Sequence, residues 1–417
     1  MRKRILLVVI VILFIKAEAQ TSAFKAIDSL TQIGRYKVAL TKLKEQPVSF
    51  EAENRLANIF YALDHHTKAI SHYKKALTLK DDYKTKIRLG KSLLIEKRIQ
   101  EAVKLYEDIC TEDSNNLLAK YTLGKMYLKV RQYKKARLLF QELIMKDDSN
   151  ANYYYQYALA NPQPKKIFKR IDYYLLAYKK NNQHFNAIEK LARGFTTIKD
   201  RDSANIFIEK GLKIRPNHMD LNRLKINRLF IQKKYKESLA LLLNIDSIQP
   251  NELYTKKMLG RCYFNLEEYD KAKTHFQKAS QLDTEEFKSL IYLGDIALIE
   301  KDTKSAMFLY MRATRRGKKK RDRAYMGLAN VFTEMKMPKD VLTSYKSAVE
   351  ENPKNRKALF EYAKQTDNYY KDKKQGYKLY QRYKERFEGK DSITDIFVEA
   401  RLKQIKKDYF FKGEEIE

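Results

Sequence analysis

"MLGRCYFNLEEYDKAKTHFQKASQLD" (residues 258–283) divides into two short amphipathic helices around a turn at Leu266-Glu267-Glu268-Tyr269. Its apolar-facing positions hold three small residues, Gly260, Ala272 and Ala279, beside the bulky Tyr263 and Phe276. Glycine inside a helix costs about 1 kcal/mol relative to alanine. Gly260 therefore needs a close contact that offsets that cost.

The arrangement recurs along the chain. The small site of the second helix is occupied by Ala39, Ala69, Ala102, Ala136, Ala204, Ala272 and Ala306, and less faithfully by Arg170, Ser238, Val341 and Gln375. Successive spacings are 30, 33, then six of 34, then 35 and 34 residues. A period this long marks a solenoid, and 34 residues suit two antiparallel helices and two turns. Twelve residues before each site lies the small site of the first helix: Ile27, Ala57, Gly90, Gly124, Ala158, Ala192, Ile226, Gly260, Gly294, Ala329 and Ala363. Nine of these eleven are Gly or Ala, so the glycines are structural. Four residues after the second-helix site comes Leu43, Tyr73, Tyr106, Phe140, Tyr174, Ile208, Leu242, Phe276, Tyr310 or Tyr345, placed to fill the space beside the helix–helix contact. Pro216, Pro250 and Pro353 stop second helices, and Asp, Ser and Asn in the same stretches are suited to cap the helix that follows.

Composition agrees with a helical chain that can build a core. The 417 residues include 12 Gly, 7 Pro and no Trp, with 44% apolar and 33% charged residues. The first twenty stand apart. Arg2, Lys3 and Arg4 precede an apolar run from Ile5 to Ile15, and Ala17-Glu18-Ala19 precedes Gln20. That is the pattern of a secretory signal peptide over 1–19. The alternative is an uncleaved leader anchoring the protein to the inner membrane, although eleven apolar residues fall short of a span. Removing 1–19 takes away four cations and one anion, lowering the net charge from +33 to +30. An exported protein this basic meets phospholipid headgroups, cell-wall polymers or acidic proteins rather than nucleic acid. Two cysteines 152 residues apart, Cys110 and Cys262, exclude a disulfide-dense scaffold and read as buried apolar residues.

The pattern closely resembles the tetratricopeptide repeat family, most clearly in "LGKMYLKVRQYKKARLLFQELI" (123–144), "MLGRCYFNLEEYDKAKTHFQKA" (258–279) and "YLGDIALIEKDTKSAMFLYMRA" (292–313). The resemblance covers about 20–388. It implies an all-α, right-handed superhelical solenoid of about eleven helix-turn-helix repeats. Pro162 and Pro164 in "ANPQPKK" should cut one first helix short and leave an irregular joint near 161–165. From 389 to 417 lies a capping segment with a helix over about 393–408, whose Ile393, Ile396, Phe397, Ala400, Leu402 and Ile405 should cover the last repeat, with Phe410 and Phe411 either packing there or standing out as an exposed sticker. The leader, the Lys/Asn/Ile/Tyr-rich usage and the Ala-Glu-Ala-Gln junction resemble periplasmic proteins of Bacteroidetes-type bacteria, where such solenoids serve secretion, motility or envelope assembly.

No catalytic constellation, cofactor motif or metal site stands out. There is no Walker A loop, G-x-S-x-G elbow or H-E-x-x-H motif, and His65-His66 falls in a turn without a carboxylate cluster. What remains is binding. In tetratricopeptide solenoids the first helices line a concave groove, and partners are held one residue beyond the small site. Here that register reads Asp28, Asn58, Lys91, Lys125, Leu159, Arg193, Asn227, Arg261, Asp295, Asn330 and Lys364, five of eleven being basic. Tyr121, Tyr155 and Lys257 share the face by helical spacing. Together they suggest a basic groove with aromatic shelves for an acidic, extended segment of another envelope protein. The plainer reading is that any lysine-rich helix shows lysine on its open face. The Lys/Asn set of chaperone-binding family members does not occur in order. A second candidate is "RRGKKKRDR" (315–323), where Arg315, Arg316, Lys318, Lys319, Lys320 and Arg321 form either a nucleic-acid or anionic-lipid patch, with export arguing against nucleic acid, or simply a solvated loop. The expected function is a non-enzymatic scaffold of the cell envelope. The alternative is a basic protein that binds polyanions or membrane surfaces.

Overall fold

The computed structural model describes residues 21–316 and 320–416, and the leader and Lys318 and Lys319 lie outside them. The described residues hold helices and no strands. The chain divides into two compact units, one ending at Pro216 and one starting at Asn217.

The first unit contains six helix pairs. These are α1 (21–32) with α2 (Tyr36–Lys44), α3 (Phe50–Ala62) with α4 (His66–Leu79), and α5 (Tyr83–Ile95) with α6 (Ile99–Glu112). Then come α7 (Leu117–Lys129) with α8 (Tyr133–Lys146), α9 (Ala151–Leu159) with α10 (Ile167–Lys180), and α11 (Phe185–Thr197) with α12 (Arg201–Ile214). The second unit has five pairs and a final helix. Its pairs are α13 (Met219–Ile231) with α14 (Tyr235–Ile248), α15 (Leu253–Asn265) with α16 (Tyr269–Leu282), α17 (Phe287–Ile299) with α18 (Thr303–Arg315), α19 (Asp322–Glu334) with α20 (Pro338–Glu351), and α21 (Arg356–Tyr369) with α22 (Lys374–Phe387). The final helix is α23 (Ser392–Phe410).

Every first-helix small site is buried, and at Gly90, Gly124, Gly260 and Gly294 the +4 ring of the second helix lies on it. A Cβ built on Gly260 would stand 2.7 Å from the Phe276 ring, and one on Gly124 would stand 2.6 Å from the Phe140 ring. The glycine thus makes room for the ring itself, where a methyl group would overpack the core. Tyr310 is held between Gly294 of its own repeat and Gly327 of the next, so one ring joins two repeats.

Eight of the first helices begin on side-chain caps. Ser49, Asp82, Asn116, Asn150, His184, Glu252, Glu286 and Asn355 each accept a backbone N–H of the first turn. Nine of the eleven end in one motif, in which the second N–H beyond the C-cap reaches the C=O five residues back, as in His65 to Phe60 (2.9 Å) and Glu268 to Tyr263 (2.9 Å). The residue between takes a left-handed conformation. It is glycine only at Gly34; elsewhere it is Asp64, Lys97, Arg131, Lys199, Lys233, Glu267, Lys301 or Lys336, at φ of 57° to 64°.

The two repeats without that motif are the fifth and the last. In the fifth, α9 stops after nine residues at Asn161-Pro162-Gln163, and a 3-10 turn (Pro164–Lys166) leads into α10. Arg170, at the small site of α10, donates Nη1 to the Pro162 carbonyl (2.8 Å), capping the exposed end of the shortened helix. In the last repeat the small site is Gly376 rather than Gln375, which is exposed, because α21 and its turn carry one more residue.

The final helix corrects the expected face. Val398, Ile405 and Tyr409 are buried, whereas Ile393 is 81% and Ile396 69% exposed. Arg401 sets the rotation: Nε and Nη2 donate to the two carboxylate oxygens of the buried Asp367 at 2.7 and 3.0 Å. At 100° per residue Ile396 then lies ~140° round the helix from Arg401. Phe397 keeps an edge contact with Phe360, but Ala400 is exposed, and so are Phe410 and Phe411, which do not pack.

Candidate partner-binding groove

The first helices carry the binding register, and in several repeats that register already has an internal task. Where the second helix presents tyrosine, its hydroxyl can donate to the residue beyond the small site: Tyr73 to Asn58 (2.7 Å), Tyr310 to Asp295 (2.6 Å) and Tyr345 to Asn330 (3.4 Å). Burial, then the Asp295 carboxylate, pushes the Tyr310 phenol far above its ordinary range, and burial raises Tyr345 to about 12. Where the ring is Phe140 or Phe276 there is no hydroxyl to satisfy, and the register holds Lys125 or Arg261. Tyr106 and Tyr174 have Lys91 and Leu159 at that position instead, and Asp28 and Asn227 accompany Leu43 and Leu242, so the pairing is not a pattern that the sequence alone displays.

In the second unit the register opens into a recess of about 490 Å³ between α13, α15, α17 and α19, floored by Tyr254, Phe276, Phe287 and Tyr292. Arg261 stands in its wall, its guanidinium 4.2 Å from the centre of the Phe230 ring. Nη1 donates to the Met258 sulfur (3.3 Å), a weak acceptor, and Nε is buried without a partner. Among the described residues Arg261 meets no carboxylate. Its neighbours do: Lys257 pairs with Glu286 (2.5 Å), Arg323 with Asp295, and Arg223 with Glu252 (2.8 Å). Glu286 and Glu252 are the caps of α17 and α15, so each of those pairs ties one first helix to the next. Lys257 is therefore committed to structure more than the sequence suggests.

In the first unit Lys125 reaches over the Tyr121 ring (5.3 Å), which leans on Tyr153. Tyr155 lies between Tyr174 (5.7 Å) and His184 (5.1 Å), and Arg193 pairs with Glu189 (2.8 Å). Lys91 is exposed and Lys364 half-buried, and neither forms an ion pair among the described residues. Lys91, Tyr121, Lys125, Tyr155 and Arg193 thus belong to one unit, while Lys257, Arg261 and Lys364 belong to the other.

The basic run divides as well. Arg315 is exposed at the end of α18, Arg316 is half-buried and Lys320 is exposed. Arg321 turns inward to Glu351 (2.5 Å) and the Thr314 carbonyl (2.7 Å). Both cysteines are free thiols, and burial pushes Cys110 up to about 11. Among the described residues no cluster of His, Cys, Asp and Glu could hold a metal, and no helix is long and apolar enough to cross a membrane.

Tetratricopeptide repeat profiles match residues 51–83, 93–160 and 255–285. Among solved structures, yeast Tom70 is similar at 13% identity over 94% of this chain and 96% of that one, with a TM-score of 0.47. YrrB, described as a TPR protein with an unusual peptide-binding site, is 19% identical over 46% of this chain and 97% of its own, with a TM-score of 0.36. PilF of Pseudomonas aeruginosa is 17% identical over 53% and 98%, with a TM-score of 0.43. No curated protein sequence matches the chain. The 34-residue period, the small-site pairs with their rings and the three profile matches agree: the chain carries tetratricopeptide repeats.

Proposed function

We propose that the protein is a non-enzymatic scaffold of a bacterial cell envelope, exported through a cleaved leader, which holds acidic, extended partner segments against its first helices. The observation that carries this reading is Arg261, a half-buried guanidinium with an unpartnered Nε in a recess walled by aromatic rings. A carboxylate entering there gains a charge-assisted hydrogen bond without displacing an existing ion pair. The tyrosine and phenylalanine faces bury the apolar part of the segment. The charge of +30 after removal of 1–19 steers acidic partners toward the surface and raises the rate of encounter.

The test is affinity capture from native envelopes at low and then high salt, with the intact mass of the bait read in parallel. The expected result is a bait beginning at Gln20 and a discrete partner that survives high salt. Arg261→Glu combined with Lys125→Glu should reduce recovery at least tenfold. A partner held equally well by that variant would remove the groove from the mechanism.

The second reading, binding of anionic lipid or wall polymer, is favoured by the exposed cations Arg315 and Lys320. It requires steeply salt-dependent binding to phosphatidylglycerol vesicles that ignores Arg261→Glu. Recovery of a salt-resistant protein partner alone would sink it.

A further inference from the structure

The irregular joint of the fifth repeat borders a second recess. In an ordinary repeat the first helix runs thirteen residues, and the third position beyond its small site carries a bulky apolar residue such as Leu93, Tyr127, Phe195 or Tyr263. In the fifth, α9 ends after nine, and that position is Asn161. Proline is the cause: Pro162 and Pro164 cannot donate helical hydrogen bonds, so the last turn is missing together with the side chains that would fill it. Arg170 then locks the substitute loop through the Pro162 carbonyl.

The space left is a recess of about 300 Å³ between α9, α10 and α11, wholly within the first unit. That lies at the lower edge of the range for ligand pockets, roughly 300–1,000 Å³, and suits one or two side chains better than a cofactor. Leu159, Pro162, Ile167 and Ile171 give it apolar walls, and Arg170, Lys190 and Arg193 bring cations to it. The lining contains no carboxylate, and the nearby Glu189 neutralises only Arg193 at close range, standing 4.0 Å from Lys190. The recess therefore combines an apolar floor with a surplus of positive charge. Local rules are broken here, by two prolines and an arginine at an alanine position, and such breaks concentrate where a protein does something besides fold.

We propose that this joint recess is a specificity pocket for a partner segment carrying a large aliphatic side chain flanked by carboxylates. The side chain seats on Leu159, Ile167 and Ile171, and the carboxylates meet Lys190 at the rim. The proposal rests on the scaffold reading, because it supplies one of the places where an acidic partner is held. It adds a requirement that charge alone does not impose: an apolar anchor inside the acidic stretch.

The probe is a fluorescein-labelled peptide with one leucine between two pairs of aspartates, compared with the same peptide carrying alanine. Binding to the full mature chain is followed by fluorescence anisotropy at moderate salt. The expected result is at least tenfold tighter binding of the leucine peptide. Leu159→Trp, which fills the recess, should abolish that preference, while Lys190→Glu at the rim weakens both peptides by a similar factor. A thermal melt of each variant confirms that it folds, and Lys190→Glu, at the half-buried rim, keeps the test alive if the tryptophan variant does not. Equal affinity for the two peptides, or a preference that survives Leu159→Trp, overturns the pocket. Salt-resistant capture of a partner alongside equal peptide affinities would overturn the pocket while leaving the scaffold standing. Failure of both would end the scaffold reading.

Discussion

His184 shows how one side chain carries both a fold contact and a pH response. Its Nδ1 accepts the Ala187 N–H at the start of α11, while Nε2 meets the Asn152 oxygen at 3.2 Å. Both contacts require the neutral ring with its proton on Nε2. Burial holds the His184 pKa below the ordinary histidine value. A folded pKa below the unfolded one means stability that is complete above the unfolded pKa, about 6.5, and is lost as pH falls through the lowered folded value. Asn116, Asn150 and Asn355 cap the equivalent helices with an oxygen that does not titrate. His184→Asn should therefore leave the urea midpoint nearly unchanged at pH 7.5 and raise it at pH 5, by an amount corresponding to about 1 kcal/mol for a restored cap. A variant whose midpoint tracks the wild type at both values would show that the ring is not the cap that matters.

The elements were legible in the sequence wherever the repeat is regular, because the small-site positions report the same packing constraint in repeat after repeat. Ring-on-glycine contacts such as Phe276 on Gly260 follow from the twelve-residue spacing. Legibility failed where a single tertiary contact overrides periodicity. Arg401 turns α23 toward Asp367, against an apolar stripe that pointed elsewhere. The extra residue in the last repeat moves its small site from Gln375 to Gly376. In the binding register, Arg261 stood out by its position, whereas the commitment of Lys257 to Glu286 depends on a capping residue two turns away and could not be read locally. The left-handed turn residues were also hidden, since glycine is the usual signal and only Gly34 supplies it. A side chain with a Cβ in that conformation costs roughly 1–2 kcal/mol. Glycine relieves that strain but adds freedom to the unfolded chain. Lys301→Gly should thus stabilise the protein by a net ~0.5–1 kcal/mol, seen as a higher urea midpoint. Adding Lys97→Gly should give a nearly additive gain, as expected of distant sites. A fall in the midpoint would mean that Lys301 makes a contact worth more than its strain.

At the scale of the molecule, stability is local because each helix pair rests chiefly on its neighbours. The end of the second unit gives the clearest case. Asp367 is buried, and its bidentate partner Arg401 comes from the capping helix, with Lys373 farther off at 3.7 Å. Arg401→Ala leaves a buried carboxylate poorly paired, a change that costs about 3–5 kcal/mol. Hydrogen exchange should show accelerated opening from Arg356 to Phe410, with protection in α13 to α18 preserved. Uniform loss of protection across the second unit would instead mean that it unfolds as one block.

The joint in the fifth repeat also bears on how such a chain can change length over generations. Loss or duplication of one whole period among the regular repeats returns every cap, left-handed turn and ring to an equivalent neighbour, so the product is foldable at once. A crossover falling within 159–170 is different, since it would join a helix stopped by proline to a second helix carrying alanine where Arg170 now closes the loop. Regular repeats can be traded, whereas this one must be inherited intact, and it divides the first unit into two segments free to vary in number on either side of a fixed landmark.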